Sequence, residues 1–336
     1  VPPNFSTRRV ELDLGKGLVI LLVVFGHLVA RVDPAGVTWY EPLRRAIYAF
    51  HMPFFLYLSG LVAAYSGLLL SPRSAWWRVL RARAKRLLIP FAAFGGLTLA
   101  GKLAAEHVMY VDHPPANWRA GLDGLLWHTA ASPALSVWYL FVLFTVSLGA
   151  MAFLDGRASR IVPLLALALL LFAVKLPALC YADRLGTYAI FFALGGAAGL
   201  AGARWERIVD RHWRWLLALF AALLAGIAWR GAAWPPHAVL LVAGTLSMPA
   251  LHGLLRYSPA SWPRFVLWLG RYSFMIYLVN TWFIGLAKGL LLHVWGWDGA
   301  NFLPFAMVLM ATGLAGPVLL KRYALRHAPL LDRLTD

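Results

Sequence analysis

Mostly apolar runs of about 15 to 28 residues recur along the whole chain, separated by short segments that hold most of its charge. Each run approaches the roughly 20 residues a helix needs to cross the hydrocarbon core of a bilayer. In water, every such run would need burial on all sides. With 61% hydrophobic and 13% charged residues, the chain lacks the polar surface for that. The pattern predicts an all-α, polytopic integral membrane protein of about ten transmembrane helices. Their expected positions are 14–31, 46–70, 87–105, 137–154, 161–175, 185–202, 215–229, 237–255, 265–292 and 302–320. Many of the 16 Trp residues fall near the ends of these runs, where an indole buries its ring and keeps its N–H wet.

Orientation follows from the cations, because short positively charged loops resist translocation. About two thirds of the 31 Lys and Arg residues, Arg8, Arg9 and the 73–86 cluster among them, fall inside if both termini are cytoplasmic. The net charge of +17 is thereby read as retention against anionic lipid, with no nucleic-acid partner. The first run reads as an uncleaved signal anchor in a bacterial inner membrane. A single cysteine, Cys180, forms no intramolecular disulfide, and no metal-ligand spacing is evident. Without an internal repeat or linker, residues 1–336 read as one domain. The longest outer segment, 106–136, carries Asp112, Pro114, Pro115, Trp118, Asp123, Trp127 and His128, and is expected to cover a cavity mouth.

Several polar residues stand where lipid alone would not place them. The first run opens Asp13-Leu-Gly-Lys16-Gly17 and closes Gly26-His27. A helix turns about 100° per residue, so Lys16 and His27 share one face to within about 20° and lie about 16 Å apart along the axis. An imidazole in hydrocarbon marks a site by default, although a hydrogen-bonded packing role is the plain alternative. His51, in Phe50-His51-Met52-Pro53, approaches the same depth from the second run. Arg83, Lys85 and Arg86 precede Leu-Leu-Ile-Pro90, and a helical spacing of three would let two guanidinium forks converge on one phosphate. Positive-inside anchoring also explains part of that cluster. Trp138 and Tyr139 open the fourth run, and Tyr277 and Asn280 lie within the ninth, where a carboxamide also serves as packing glue.

These segments resemble the acyltransferase 3 family, in particular its fucose-acetylase-like branch. The stretch from Lys16 to His27 is similar to the family's basic residue, ten intervening positions and histidine. His51-Met52-Pro53-Phe54-Phe55 resembles its second helix, Arg83-Ala-Lys85-Arg86 its paired-arginine motif, and Trp138-Tyr139 a further recurrent segment. Gly270-Arg-Tyr-Ser273 through Tyr277 and Asn280 looks like a late motif, departing at Asn280 from the usual histidine. Lys16 departs too, since many members carry arginine, and a bidentate fork is lost there.

The resemblance implies a membrane-bound O-acyltransferase that moves an acyl group, commonly acetyl, from cytoplasmic acetyl-CoA to a hydroxyl of a carbohydrate or lipid-linked glycan at the outer face. His27 is then the expected general base, with Asp13, Lys16 and His51 as further catalytic candidates. Arg83, Arg86, Lys85 and Lys16 are expected to hold the coenzyme, and Trp138, Tyr139, Tyr277 and Asn280 the substrate. His51, Tyr139 and Asn280 stand as alternative oxyanion donors. The rival reading is a transporter or polysaccharide exporter, whose path the same buried polar groups would line.

Overall fold

The computed structural model describes residues 9–29, 34–106, 111, 114–230, 233–257, 261–328, 331–332 and 334–335. Arg8 and Asp112 lie outside the described residues. Within the described residues thirteen α-helices run in chain order: α1 (Val10–Gly26), α2 (Tyr40–Tyr48), α3 (His51–Tyr65), α4 (Trp76–Arg83), α5 (Ile89–Ala105), α6 (Trp118–Leu126), α7 (Trp138–Leu154), α8 (Ile161–Ala173), α9 (Ala182–Ala201), α10 (Ala203–Arg230), α11 (Pro236–Tyr257), α12 (Arg264–Leu291) and α13 (Phe302–Leu319). Among the described residues no strand forms; the extended pairings are single bridges, Ala35 to Asp298 and His128 to Leu179.

Among the described residues, seven helical stretches are long and apolar enough to cross a membrane: Tyr40–Tyr65, Arg73–Ala105, Ala182–Ala201, Ala203–Arg230, Pro236–Tyr257, Arg264–Leu291 and Phe302–His327. The pair α7 and α8, bent by 119°, makes an eighth if taken as one span. The molecule is a multi-pass, all-helical membrane protein. Helices α1 and α7, at 17 residues each, and α8, at 13, are shorter than that criterion.

Two boundaries differ from the sequence expectation for a physical reason. Helix α1 starts earlier, at Val10, with Glu11 and Asp13 in its first turn, where carboxylates favour the positive end of the helix dipole. The second run is two helices: the chain breaks at Ala49–Phe50, and His51 opens α3. Pro53 therefore sits in a first turn, where its missing N–H removes no helical bond.

Close backbone approach sets the central packing. A Cβ on Gly17 would lie 1.9 Å from the Val266 carbonyl oxygen, and one on Gly270 1.9 Å from that of Asp13, so α1 and α12 touch main chain to main chain. Gly60 and Gly195 do the same for α3 and α9, with built Cβ atoms 2.1 Å from the Phe192 and Tyr57 carbonyl oxygens. Lipid offers no hydrophobic drive between helices, so such contact must come from van der Waals packing. Within 106–136, Asn117 caps α6 by accepting from the Ala120 N–H at 3.0 Å, and the segment after α6 is tied to 178–180 by Thr129 N to Ala178 O (3.0 Å) and Cys180 N to Trp127 O (2.9 Å).

Candidate active site

The Gly17–Gly270 contact fixes the register of α1 against α12, and ten positions further along each helix His27 meets Asn280. His27 Nδ1 and Asn280 Oδ1 are 2.8 Å apart. The roles in this bond are decided by the other half of the amide. Asn280 Nδ2 donates to the Ile276 carbonyl at 2.8 Å and to the Tyr277 carbonyl at 3.1 Å, and a carbonyl only accepts. Oδ1 must then face the imidazole, so His27 donates from Nδ1–H and keeps the lone pair of a neutral ring on Nε2. Asn280 has no exposed surface, whereas His27, at the C-terminal end of α1, is only partly buried.

His51 is oriented in the same sense. Its Nδ1 lies 2.9 Å from the Ile47 carbonyl at the α2–α3 break, so that nitrogen donates and Nε2 is the free position. Tyr48 links the two histidines: its hydroxyl donates to the Gly26 carbonyl at 2.9 Å, and its ring centroid lies 4.9 Å from that of His51. Beyond them, Trp138 packs on Tyr188 with centroids 4.9 Å apart, and the Arg184 guanidinium stands 5.1 Å over the Trp138 ring. Tyr48, Tyr188 and Arg184 escaped the sequence reading; an exposed-looking Tyr three residues before His51 was the available signal.

The other expected site residues divide into those drawn together and those held apart. Tyr139 stacks on Phe55 (4.7 Å, 1°), and its hydroxyl lies 2.6 Å from Ser59 Oγ. Ser59 spends its own hydrogen on the Phe55 carbonyl, which leaves Tyr139 as the donor to Ser59. Tyr277 accepts from the Tyr139 main-chain N–H at 3.2 Å and pins the start of α7. The donor hydrogens of Tyr139, Asn280 and neutral His51 are thus all committed within the protein. Asp13 and Lys16 pair with each other at 3.5 Å. The residue rise along α1 puts Lys16 about 16 Å and Asp13 about 21 Å from His27, too far to exchange a proton with it directly.

The arginine pair does not form the shared helical face that its spacing suggested. A π turn at Ala84–Leu88 intervenes, and a wider turn rotates positions three apart away from each other. Arg83 turns inward and donates to Ser147 Oγ on α7 at 2.8 Å, while Lys85 and Arg86 remain exposed. The Arg83 Nε is buried without a hydrogen-bond partner, and among the described residues no carboxylate pairs with this guanidinium. A half-buried cation left so incompletely satisfied suits an anionic ligand.

A family model described as an acyltransferase domain matches residues 9–322. The chain belongs to the acyltransferase 3 family. Its apolar helices fit a family of membrane proteins. It is similar to nodulation protein NolL of Sinorhizobium fredii, 40% identical over 102 residues, which is 30% of this chain and 27% of that protein. NolL of Mesorhizobium japonicum is 35% identical over 91 residues, 26% of this chain and 23% of its own length. The matches thus span only about a quarter of these curated relatives. No solved structure matches the chain.

Proposed function

We propose that this acyltransferase moves an acyl group, acetyl in the simplest case, from cytoplasmic acetyl-CoA to a hydroxyl of a carbohydrate or lipid-linked glycan at the outer face of a bacterial inner membrane. In this reading the chain crosses the bilayer ten times with both termini in the cytoplasm, α1, α7 and α8 each counted as a crossing. The observation that carries the proposal is the His27–Asn280 pair, which presents a neutral imidazole with Nε2 free at a partly buried position.

His27 Nε2 accepts the proton of the acceptor hydroxyl as its oxygen bonds to the thioester carbonyl carbon. The C–S bond then breaks, and the proton passes from His27 to the departing thiolate, so coenzyme A leaves as a thiol and the acyl ester remains on the acceptor. Asn280 Oδ1 holds the ring in the required tautomer and shares the positive charge that develops on the imidazolium. Arg83, half-buried with its Nε unpartnered, fits a phosphate of the donor, with exposed Lys85 and Arg86 at the entrance. His51 Nε2 faces the substrates as an acceptor beside Tyr48. Lys16, paired with Asp13, lies at the end of α1 from which the donor would enter.

The test uses purified protein in proteoliposomes with acetyl-CoA and a glycan acceptor, and follows free thiol and acylated glycan together. Stoichiometric appearance of both supports the proposal. Glycan crossing the bilayer without thiol release would replace it with the exporter reading.

A further inference from the structure

Helix α10, at 28 residues, is about 42 Å long, well beyond the roughly 30 Å of hydrocarbon it has to cross. Two tryptophans mark the part in lipid: Trp215 and Trp229 are 80% and 86% exposed, on the helix least buried of the long apolar ones. The excess length lies on the Ala203 side of Trp215 and carries Arg204, Arg207, Arg211 and Arg214, all exposed. At 100° per residue these four fall within an arc of about 80°, and Trp215 and Trp229 lie on or beside it. Buried Val209, Phe220 and Ile227 define the opposite side. The arginine stripe therefore continues the lipid-facing surface of the same helix.

Among the described residues its charges are not neutralised. The acids of this segment point the other way: Glu206 pairs with Arg9 (3.0 Å) and Arg256 (3.1 Å), and Asp210 with Arg256 (3.3 Å). Among the described residues none of the four arginines pairs with a carboxylate. Arg207 Nε donates to its own Ala203 carbonyl at 3.4 Å, and Arg214 stands 5.6 Å over the Trp213 ring. Arg207, Arg211 and Arg214 lie within about 12 Å of Trp215 along the axis, so an arginine side chain from each reaches headgroup depth.

We propose that Arg207, Arg211 and Arg214 form a binding site for the phosphates of anionic phospholipid in the cytoplasmic leaflet, which holds α10 at a fixed depth. The leaflet assignment rests on the orientation proposed above; the lipid site itself does not. Each guanidinium supplies a planar fork to phosphate oxygens in a region where water screens only partly.

The experiment compares the full-length protein with Arg207→Gln/Arg211→Gln/Arg214→Gln, each delipidated and titrated with phosphatidylglycerol or phosphatidylcholine, with bound lipid counted by native mass spectrometry. Each arginine near the surface is worth about fivefold, so the wild type should retain phosphatidylglycerol roughly a hundredfold more tightly than the triple variant. Equal retention by both proteins, or no preference over phosphatidylcholine, overturns the proposal. So does inorganic phosphate at millimolar concentration displacing the lipid and raising thermal stability equally, which would make this a site for free phosphate. Arg204→Cys in a Cys180→Ser background, labelled with an impermeant maleimide in inside-out vesicles, supports the cytoplasmic leaflet; labelling from the opposite side refutes that assignment while lipid counts in detergent still judge the site. Acyl transfer measured on the same triple variant should persist, because these residues touch neither His27 nor Arg83.

Discussion

Two histidines in the bundle, His27 and His252, are both hydrogen-bonded through Nδ1, and they are held in opposite states. His27 faces the carbonyl oxygen of Asn280 and must donate. His252, on α11, lies 2.6 Å from the Tyr57 hydroxyl, and the Trp205 indole N–H reaches both Tyr57 Oη (2.9 Å) and His252 Nδ1 (3.4 Å). An indole only donates, so His252 Nδ1 accepts and its hydrogen sits on Nε2. His252 is 3% exposed, whereas His27 is partly buried. A partner that accepts makes one ring a base with a free lone pair; partners that donate make the other a structural acceptor.

The sharpest way to break this contrast is to delete each ring. His27→Ala should lower acyl transfer about 10³-fold, within the span usual for a lost general base, with the protein still in the membrane. Wild-type turnover in that variant sinks its assignment. His252→Phe should leave turnover near normal, and loss of activity there with a normal melting profile would erase the distinction.

Asn280→Leu removes the acceptor and frees the wrong tautomer, and kcat should fall about 10²-fold, the lower end of that span, with KM little changed. Asn280→Asp keeps an oxygen at the same place and should recover most of the loss. If both variants behave alike, Asn280 packs and does not position.

Arg83→Ala should raise KM for acetyl-CoA about tenfold, the equivalent of roughly 1.5 kcal/mol for a charge-assisted bond, and change kcat less. An unchanged KM moves the phosphate site elsewhere.

Tyr57→Phe sharpens the comparison from the structural side. It should cost about 1–2 kcal/mol in thermal stability while transfer continues, because His252 Nδ1 loses its 2.6 Å donor and keeps only the 3.4 Å approach of Trp205.

The smallest effect belongs to Asp155, in the turn after α7. The Arg73 guanidinium bonded to it at 2.7 and 2.9 Å holds its carboxyl below the usual carboxylate range. Its contribution is present above the unfolded value near 4 and is lost as pH falls through the folded one. Wild-type stability should therefore drop more steeply below about pH 4 than that of Asp155→Asn. Parallel acid melts would exclude the linkage.

Much of this protein was legible in order of residues alone. Apolar length fixes membrane helices because an unpaired backbone in lipid has no alternative, so α7, α8, α9, α11, α12 and α13 begin and end within a few residues of their expected places. Helix α10 instead starts twelve residues before its expected 215, because its first turns are polar. The spacing from Lys16 to His27 and the Arg83 segment were enough to point to the acyltransferase 3 family, which the match over 9–322 shows. His252 went unnoticed because a lone histidine in an apolar run carries no record of what faces it.

Tertiary structure decided the rest. Asn280 stands 253 residues from His27, and only the Gly17–Gly270 contact brings them level. The π turn at Ala84–Leu88 separates Arg83 from Arg86 through a local winding that no periodicity of side chains announces. Hydrophobicity is a property each residue carries with it, so one dimension suffices to read it; a tautomer or an unpaired charge is a property of neighbours, and neighbours exist only after the chain has folded.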